Sequence, residues 1–131
     1  MDVDLPEVVA EVREAFERYE QALVTNDVGT LDALFRKDAR TIRYGIAENL
    51  YGHDEVAAFR AARSPVGVMR TRSRTVITVY GRNCAVASTL FHRAAMGDSK
   101  DGRKMQTWVR FAEGWFIVAA HVSVIAAPGT A

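Results

Sequence analysis

The apolar residues of the sequence change their spacing near residue 67, and this change constrains the fold more than any other feature. Before it, apolar residues recur at helical spacing; after it, runs rich in Val, Ile, Thr and aromatic residues are separated by turn signals. Helices followed by hairpin-connected strands predict an α+β domain, because each element has to bury its apolar side against another. A chain of 131 residues has the length of one domain, which is expected to span residues 1–131.

Three helices are predicted in the first half. A stripe of apolar residues at steps of three and four predicts a long helix that begins at Pro6, behind an acidic cap at Asp4, and ends near Val24. Asn26-Asp27 predicts the cap of a second helix, "VGTLDALF". A third helix is predicted from 54 to 63, where the segment 64–67 breaks it. The stripe of the long helix consists of Val8, Val12, Phe16, Tyr19 and Leu23.

Six strands are predicted around these helices. Two are short, "ARTIRYG" and Asn49 to Tyr51, and four follow residue 67 with turn signals between them. The four runs are "VMRTRSRTVITVYG", "NCAVASTLFHRAA", "RKMQTWVRF" and "WFIVAAHVSVIA". Short turns make consecutive strands antiparallel. One curved, mixed but mostly antiparallel sheet with the N-terminal helices packed in its concavity would bury every apolar face, and the open end of such a cone is a pocket.

Composition excludes several classes of function. A net charge of +1, from 17 basic and 16 acidic residues, argues against a nucleic-acid-binding surface over the whole protein. No run of about 18 apolar residues is present that would predict a membrane span, and the N-terminus "MDVDLPEVV" does not resemble a secretory signal. The single cysteine, Cys84, fits a reducing compartment and an inert, buried thiol. The expected location is the cytoplasm, with neither nucleic acid nor membrane as partner.

Arg43 is the first candidate for chemistry. In a strand its side chain shares a face with Thr41, while Ile42 and Tyr44 occupy the other face. If the face of Arg43 is the inner one, a guanidinium that does not give up its proton is buried and needs an anion. That anion is either a structural acid of the protein or a ligand, and a surface position on the strand is the third interpretation.

Four further residues lie on predicted inward faces. Tyr19 belongs to the helical stripe, so its hydroxyl either meets a backbone group, as buried tyrosines usually do, or acts in the pocket as a hydrogen-bond donor or general acid. Gln106 and Trp108 are either pocket walls or plain sheet residues. His121 is expected to share a strand face with Trp115, Ile117, Ala119 and Ser123, where a lone histidine is more often a core residue than a catalyst.

Other patterns favour structural roles. Arg70, Arg72 and Arg74 repeat with period two, which predicts a solvated strand face, with an anion-attracting rim as the alternative. The three histidines lack metal-ligand spacing, so no metal site is expected. The sequence contains neither a Gly-rich phosphate loop nor a nucleophile elbow.

Several long motifs carry a resemblance to a known family. The order of elements resembles the cystatin-like cone of the NTF2-like superfamily, which includes SnoaL-like proteins and ketosteroid isomerase. The segments "FERYEQAL", "TIRYGIAENLYGHDEVAAFRAAR", "RTVITVYGR", "QTWVR" and "GWFIVAAHVS" resemble the AtzH-like (DUF3225) family, which contains the HpxZ-type oxalurate catabolism proteins.

This resemblance implies a homodimer of cones that acts on small carboxylated ureas. It implies cofactor-free decarboxylation of a dicarboxyurea to allophanate, with a helix tyrosine and a strand arginine as the essential pair. By motif these residues are Tyr19 and Arg43. We expect Asn49, Tyr51, Gln106, Trp108 and His121 to bind the substrate beside them. Trp108 or Trp115 on the outer sheet face is the candidate dimer contact.

Two other functions remain open from the sequence. A non-catalytic dimeric module that binds a ureide-like acid, or supports a neighbouring amidase, would need Arg43 but no proton donor. An isomerase or dehydratase would need a carboxylate base in the cone, and the nearby acids are Asp38 and Glu48.

Overall fold

The computed structural model describes residues 1–64 and 69–127, which form three α-helices and one six-stranded sheet. The helices are α1 (Pro6–Val24), α2 (Val28–Leu34) and α3 (His53–Ala62). The strands are β1 (Ile42–Tyr44), β2 (Asn49–Tyr51), β3 (Thr71–Tyr80), β4 (Cys84–His92), β5 (Lys100–Phe111) and β6 (Gly114–Ala126), and a short 3₁₀ turn spans Ala94–Met96. The sheet order is β2-β1-β6-β5-β4-β3, in which only β1 and β6 run parallel. The predicted α+β fold with a mixed, mostly antiparallel sheet is confirmed.

Helix α1 supplies one side of the core. All five residues of its predicted stripe are buried, and Pro6 occupies its first position as expected. The predicted cap is wrong: Leu5 is the N-cap residue. The Asp4 carboxylate instead accepts a hydrogen bond of 2.8 Å from the backbone N–H of Val79, which ties the chain before α1 to strand β3.

The second helix has its predicted cap, and both shorter helices have nearly the predicted bounds. Asp27 caps α2 by accepting a hydrogen bond of 3.2 Å from the N–H of Thr30. Phe35, predicted as the last residue of this helix, is buried but already extended. Helix α3 ends at Ala62, and residues 65–67 of the predicted break lie outside the described part of the chain.

The orientation of β1 decides where Arg43 lies. Thr41 and Arg43 are buried at 1% and 9% exposure, whereas Tyr44 is 38% exposed. Arg43 is paired in register with the buried Ala120 of β6. The guanidinium therefore belongs to the inner face of the sheet.

Strand β6 contains a β-bulge that changes which of its residues face the core. Trp108 lies opposite Ile117, but the preceding residue Thr107 lies opposite Ala119, so Val118 is an extra residue in β6. Ile117 is buried, yet His121 is exposed on the outer face. The prediction that His121 shares a face with Ile117 and Trp115 is wrong, because uninterrupted alternation does not hold across the bulge.

In the described part of the chain, no helix combines the length and the apolar character that crossing a membrane requires.

Candidate active site

A cavity of about 180 Å³ lies between α1, the β1–β2 loop, the end of α3 and the inner face of the sheet. Among the described residues the lining is rich in cations, with five Arg and Lys side chains and one acid. The lining residues are Tyr19, Leu23, Arg43, Ile46, Ala47, Glu48, Phe59, Arg63, Arg70, Phe91, Arg93, Lys104 and Val122. Tyr19 and Arg43, which come from opposite layers of the fold, therefore meet at one cavity.

Tyr19 reaches this cavity from the buried stripe of α1. Its residue exposure is 3%, and its ring packs edge-to-face on Phe35 with centroids 6.1 Å apart. The ammonium nitrogen of Lys104 lies 4.5 Å from the centroid of the same ring. No described residue forms a hydrogen bond with the Tyr19 hydroxyl, so this hydroxyl is available to a ligand.

The cations around Tyr19 change its acidity. Burial alone would raise the pKa of the phenol, but the positive charges of surrounding Lys and Arg residues outweigh burial and lower the pKa from 10.0 to about 8. Those residues are Lys104, Arg60, Arg43 and Arg70. A phenol with a pKa near 8 is mostly protonated at neutral pH and is a stronger acid than free tyrosine, as a proton donor requires.

Arg43 has both a protein partner and a cavity beside it. Its Nη1 donates a hydrogen bond of 2.8 Å to Oε1 of Glu48 in the β1–β2 loop, while its Nε is buried and has no hydrogen-bond partner among the described residues. Gly45 makes room for this pair, because a Cβ there would overlap the Glu48 carboxylate and lie 2.9 Å from Arg43 Nη1. Glu48 therefore satisfies one nitrogen of the Arg43 guanidinium, and the other N–H donors are left for a ligand.

Glu20 anchors two other cations of the lining. It is buried at 4% exposure and accepts hydrogen bonds from Lys104 Nζ at 2.5 Å and from Arg70. Burial alone would raise the pKa of Glu20, but these two cations lower it below its usual value. The predicted solvated face is wrong for Arg70, whose side chain is buried with Glu20, whereas Arg72 pairs with Glu17 at 2.9 Å near the surface.

The AtzH-like family model matches residues 1–128.

The chain belongs to the AtzH-like family.

Solved structures agree with this membership. A DUF3225 protein of unknown function from Pectobacterium atrosepticum is 54% identical, with 95% of this chain and 96% of that chain covered and a TM-score of 0.91. A cystatin-like fold protein from Burkholderia xenovorans is 47% identical, with coverage of 98% and 99% and a TM-score of 0.92. An NTF2-like superfamily protein from Salmonella enterica is 27% identical, with 95% of each chain covered and a TM-score of 0.74. Among curated proteins no match is found.

The five residues predicted to bind substrate do not line the cavity of this AtzH-like protein. Asn49 and Tyr51 lie on the exposed side of β2, where the Tyr51 hydroxyl is 3.0 Å from that of Tyr44. His121 is exposed on the outer face. Gln106 and Trp108 do face inward, but both are fully buried and Trp108 Nε1 donates to Gln106 Oε1 at 3.1 Å. Their predicted positions around the substrate are therefore corrected, and Trp108 is also removed from the outer-face dimer contact.

Sequence reasoning missed several cations of the lining. Lys104 precedes Gln106 and Trp108 on β5 at steps of two, so strand alternation did indicate an inward position. Burial lowers the pKa of Lys104 to about 8, with repulsion from Arg70 adding to it and attraction to Tyr19 and Glu20 opposing it. Arg63 and Arg93 follow the ends of α3 and β4, where no periodic pattern indicates a direction.

Proposed function

We propose that this AtzH-like protein is a cofactor-free decarboxylase that converts dicarboxyurea to allophanate. The observation that supports the proposal most directly is the meeting of Tyr19 and Arg43 at one cavity. A lining with five cations and one acid suits a small substrate with more than one negative charge. The NTF2-like superfamily includes enzymes such as ketosteroid isomerases, so the cone is a scaffold already used for catalysis.

The proposed chemistry breaks one carbon–nitrogen bond. Carbon dioxide leaves, and the electron pair of the broken bond stays on nitrogen, from which it delocalises onto the urea oxygen. Tyr19 gives its proton to that nitrogen, and water restores the proton to the phenolate. Arg43 stabilises the charge that grows as the bond breaks, since a tight clamp on the departing carboxylate would stabilise the substrate more than the transition state.

The test is the activity of Tyr19→Phe and Arg43→Lys on freshly generated dicarboxyurea. We expect both variants to fold normally by circular dichroism and to lose about a hundredfold or more in kcat, in line with the usual contribution of a positioned acid. Tyr80→Phe is the matched control, because Tyr80 is 45% exposed and distant from the cavity lining. Wild-type rates in both cavity variants would refute the proposal. A Tyr19→Phe variant that still binds the substrate, in a protein whose wild type releases no carbon dioxide, would support the non-catalytic binding module.

An isomerase or dehydratase gains one supporting observation, because Glu48 lines the cavity together with Tyr19. Its carboxylate is engaged by Arg43 and by the N–H of Ala47 at 3.2 Å, which makes it less available as a base. Asp38, the other acid considered, bonds Arg40 instead and does not line the cavity. Glu48→Gln in the same assay separates the two roles of this acid: decarboxylation should persist because Tyr19 remains the proton donor, whereas loss of the activity would assign Glu48 as a catalytic base.

We also propose that the protein is a homodimer and that it works in the cytoplasm. The outer face of the sheet supports the first proposal, since Val76 and Met105 are 54% and 55% exposed there. A single cysteine, half-buried and without a disulfide partner, supports the second.

A further inference from the structure

Arg63 differs from the other arginines around the cavity in its hydrogen bonding. It is the C-cap residue of α3 and is half-buried. Its side chain lines the cavity, and its Nε and Nη2 are buried and form no hydrogen bond with any described residue. A guanidinium keeps its charge when buried, so these unsatisfied donors destabilise the protein unless an anion meets them.

Three neighbouring arginines have acids of their own. Arg43 is paired with Glu48 at 2.8 Å, and Arg60 is paired with Asp32 at 3.3 Å. Arg70 shares Glu20 with Lys104. Among the described ion pairs, none includes Arg63, which therefore leaves an uncompensated positive charge at the cavity.

The electrostatic surroundings of Arg63 are unfavourable to it. Burial lowers its pKa, and repulsion from Arg60, Arg43 and Arg93 lowers it further, with only Tyr19 acting in the opposite direction. A protein retains an unpaired cation in its interior where a bound ligand supplies the missing anion, because the stability lost in the free protein is then exchanged for function. A bound carboxylate would give Arg63 the bidentate partner that suits its planar fork.

We infer that Arg63 forms a second anion subsite, separate from the Arg43–Glu48 pair, that holds the retained carboxylate of a dianionic substrate. This inference rests on the proposed function and assigns the two ends of the substrate. The retained carboxylate lies on Arg63, and Arg43 is left for the urea oxygen, where negative charge grows in the transition state. The departing carboxylate is then held by neither arginine, so its loss is not opposed by a ground-state ion pair.

The subsite can be tested with stable probes. Glutarate has two carboxylates on a five-atom chain, the same number of chain atoms as dicarboxyurea, and butyrate is the same molecule without one carboxylate. By calorimetry we expect the wild type to bind glutarate more tightly than butyrate. Glutarate has no urea oxygen, so one of its carboxylates can engage Arg43 while the other occupies Arg63. Arg63→Gln should weaken glutarate binding about tenfold or more and butyrate binding much less, because butyrate still has Arg43 for its single carboxylate.

The matched control is Arg13→Gln, which removes the same charge from an exposed position on α1. Equal losses in Arg63→Gln and Arg13→Gln, or a wild type with no preference for glutarate, would overturn the subsite. Melting temperatures show whether the variant is folded: Arg63→Gln should melt no lower than the wild type, since it loses an unpaired buried cation.

Kinetics with dicarboxyurea separate this inference from the proposed function. If the wild type is active and Arg63→Gln keeps its KM and its preference for glutarate, the subsite is wrong and the reaction stands. If the wild type is inactive on dicarboxyurea but its preference for glutarate depends on Arg63, the reaction is wrong and the subsite stands.

Discussion

At the scale of single residues, two acids determine how the cavity uses its cations. Glu20 is buried and pairs with both Lys104 and Arg70, so these two cations contribute positive field more than binding capacity. Glu48 accepts a hydrogen bond from Nη1 of Arg43, and the buried Nε of Arg43 has no hydrogen-bond partner among the described residues. The positive field that remains lowers the pKa of Tyr19 to about 8, and this shift has a measurable consequence.

The proposed reaction should slow as pH rises through about 8. Tyr19 acts in its protonated form, and half of that form is lost when the pH reaches the lowered pKa of about 8. Lys104, whose pKa is also about 8, is the largest source of the lowering. Lys104→Met should therefore raise the pKa of Tyr19 and move the alkaline limb of kcat/KM to higher pH.

The measurement is the pH profile of kcat/KM for the wild type and Lys104→Met, with circular dichroism at each pH. The other cations that face Tyr19 are Arg60, Arg43 and Arg70, and both proteins retain them. A limb that stays at the wild-type pH in Lys104→Met would contradict the assignment to Tyr19.

At the scale of elements, the periodicity of the sequence predicted the features that depend on residues close together in the chain. The α1 stripe, the Asp27 cap and the six strands have the structure that their sequences indicate. Glu20 is not part of the predicted apolar stripe, although it follows Phe16 by four residues and lies on the buried face of α1. Its partners Arg70 and Lys104 are 50 and 84 residues away, and no local pattern connects them to α1.

Site residues on strands were predictable only where alternation is uninterrupted. The strands of Arg43 and Lys104 alternate regularly up to these residues. Strand β6 does not, because Val118 is an extra residue in it. Asn49 and Tyr51 were misplaced for a different reason: both faces of β2 carry large side chains, and Leu50 between them takes the inner face. The two residues assigned by family motif lie at the cavity, whereas the five chosen from nearby strands do not.

Removing the charge of Glu20 should destabilise the protein far more than removing that of Glu17 on the same helix. Glu20→Gln leaves Lys104 and Arg70 buried without an anion, which we expect to cost about 3–5 kcal/mol. Glu17 is 48% exposed in its pair with Arg72, so Glu17→Gln should cost less than about 1 kcal/mol. Urea denaturation measures both free energies of unfolding, and similar values for the two variants would contradict the structural importance of the buried cluster.

At the scale of the whole molecule, one face of the sheet is covered by helices and the other is not. A groove on the uncovered face includes Val76, Leu90, Met105 and His121. Apolar side chains exposed in this way are typical of an interaction surface. The proposed homodimer would cover them while leaving the cavity, on the opposite face, open to substrate.

Met105→Glu should convert the proposed dimer to a monomer, because it places a charge in the centre of the uncovered face. Sedimentation velocity measures the oligomeric state directly. Met69→Glu is the control, since Met69 is 70% exposed but lies outside the sheet. A wild type that sediments as a monomer would refute the dimer, and a Met105→Glu dimer as stable as the wild type would refute this surface.

The extra residue in β6 has a consequence for how proteins of this shape can diverge. Every position after Val118 takes its direction from that one insertion. Regular pairing of the same residues without the bulge would place Val118 opposite Thr107 and turn His121 inward and Val122 outward, so an imidazole would replace an aliphatic wall without any substitution. A one-residue register shift in a single strand is thus a short evolutionary route from one interior chemistry to another.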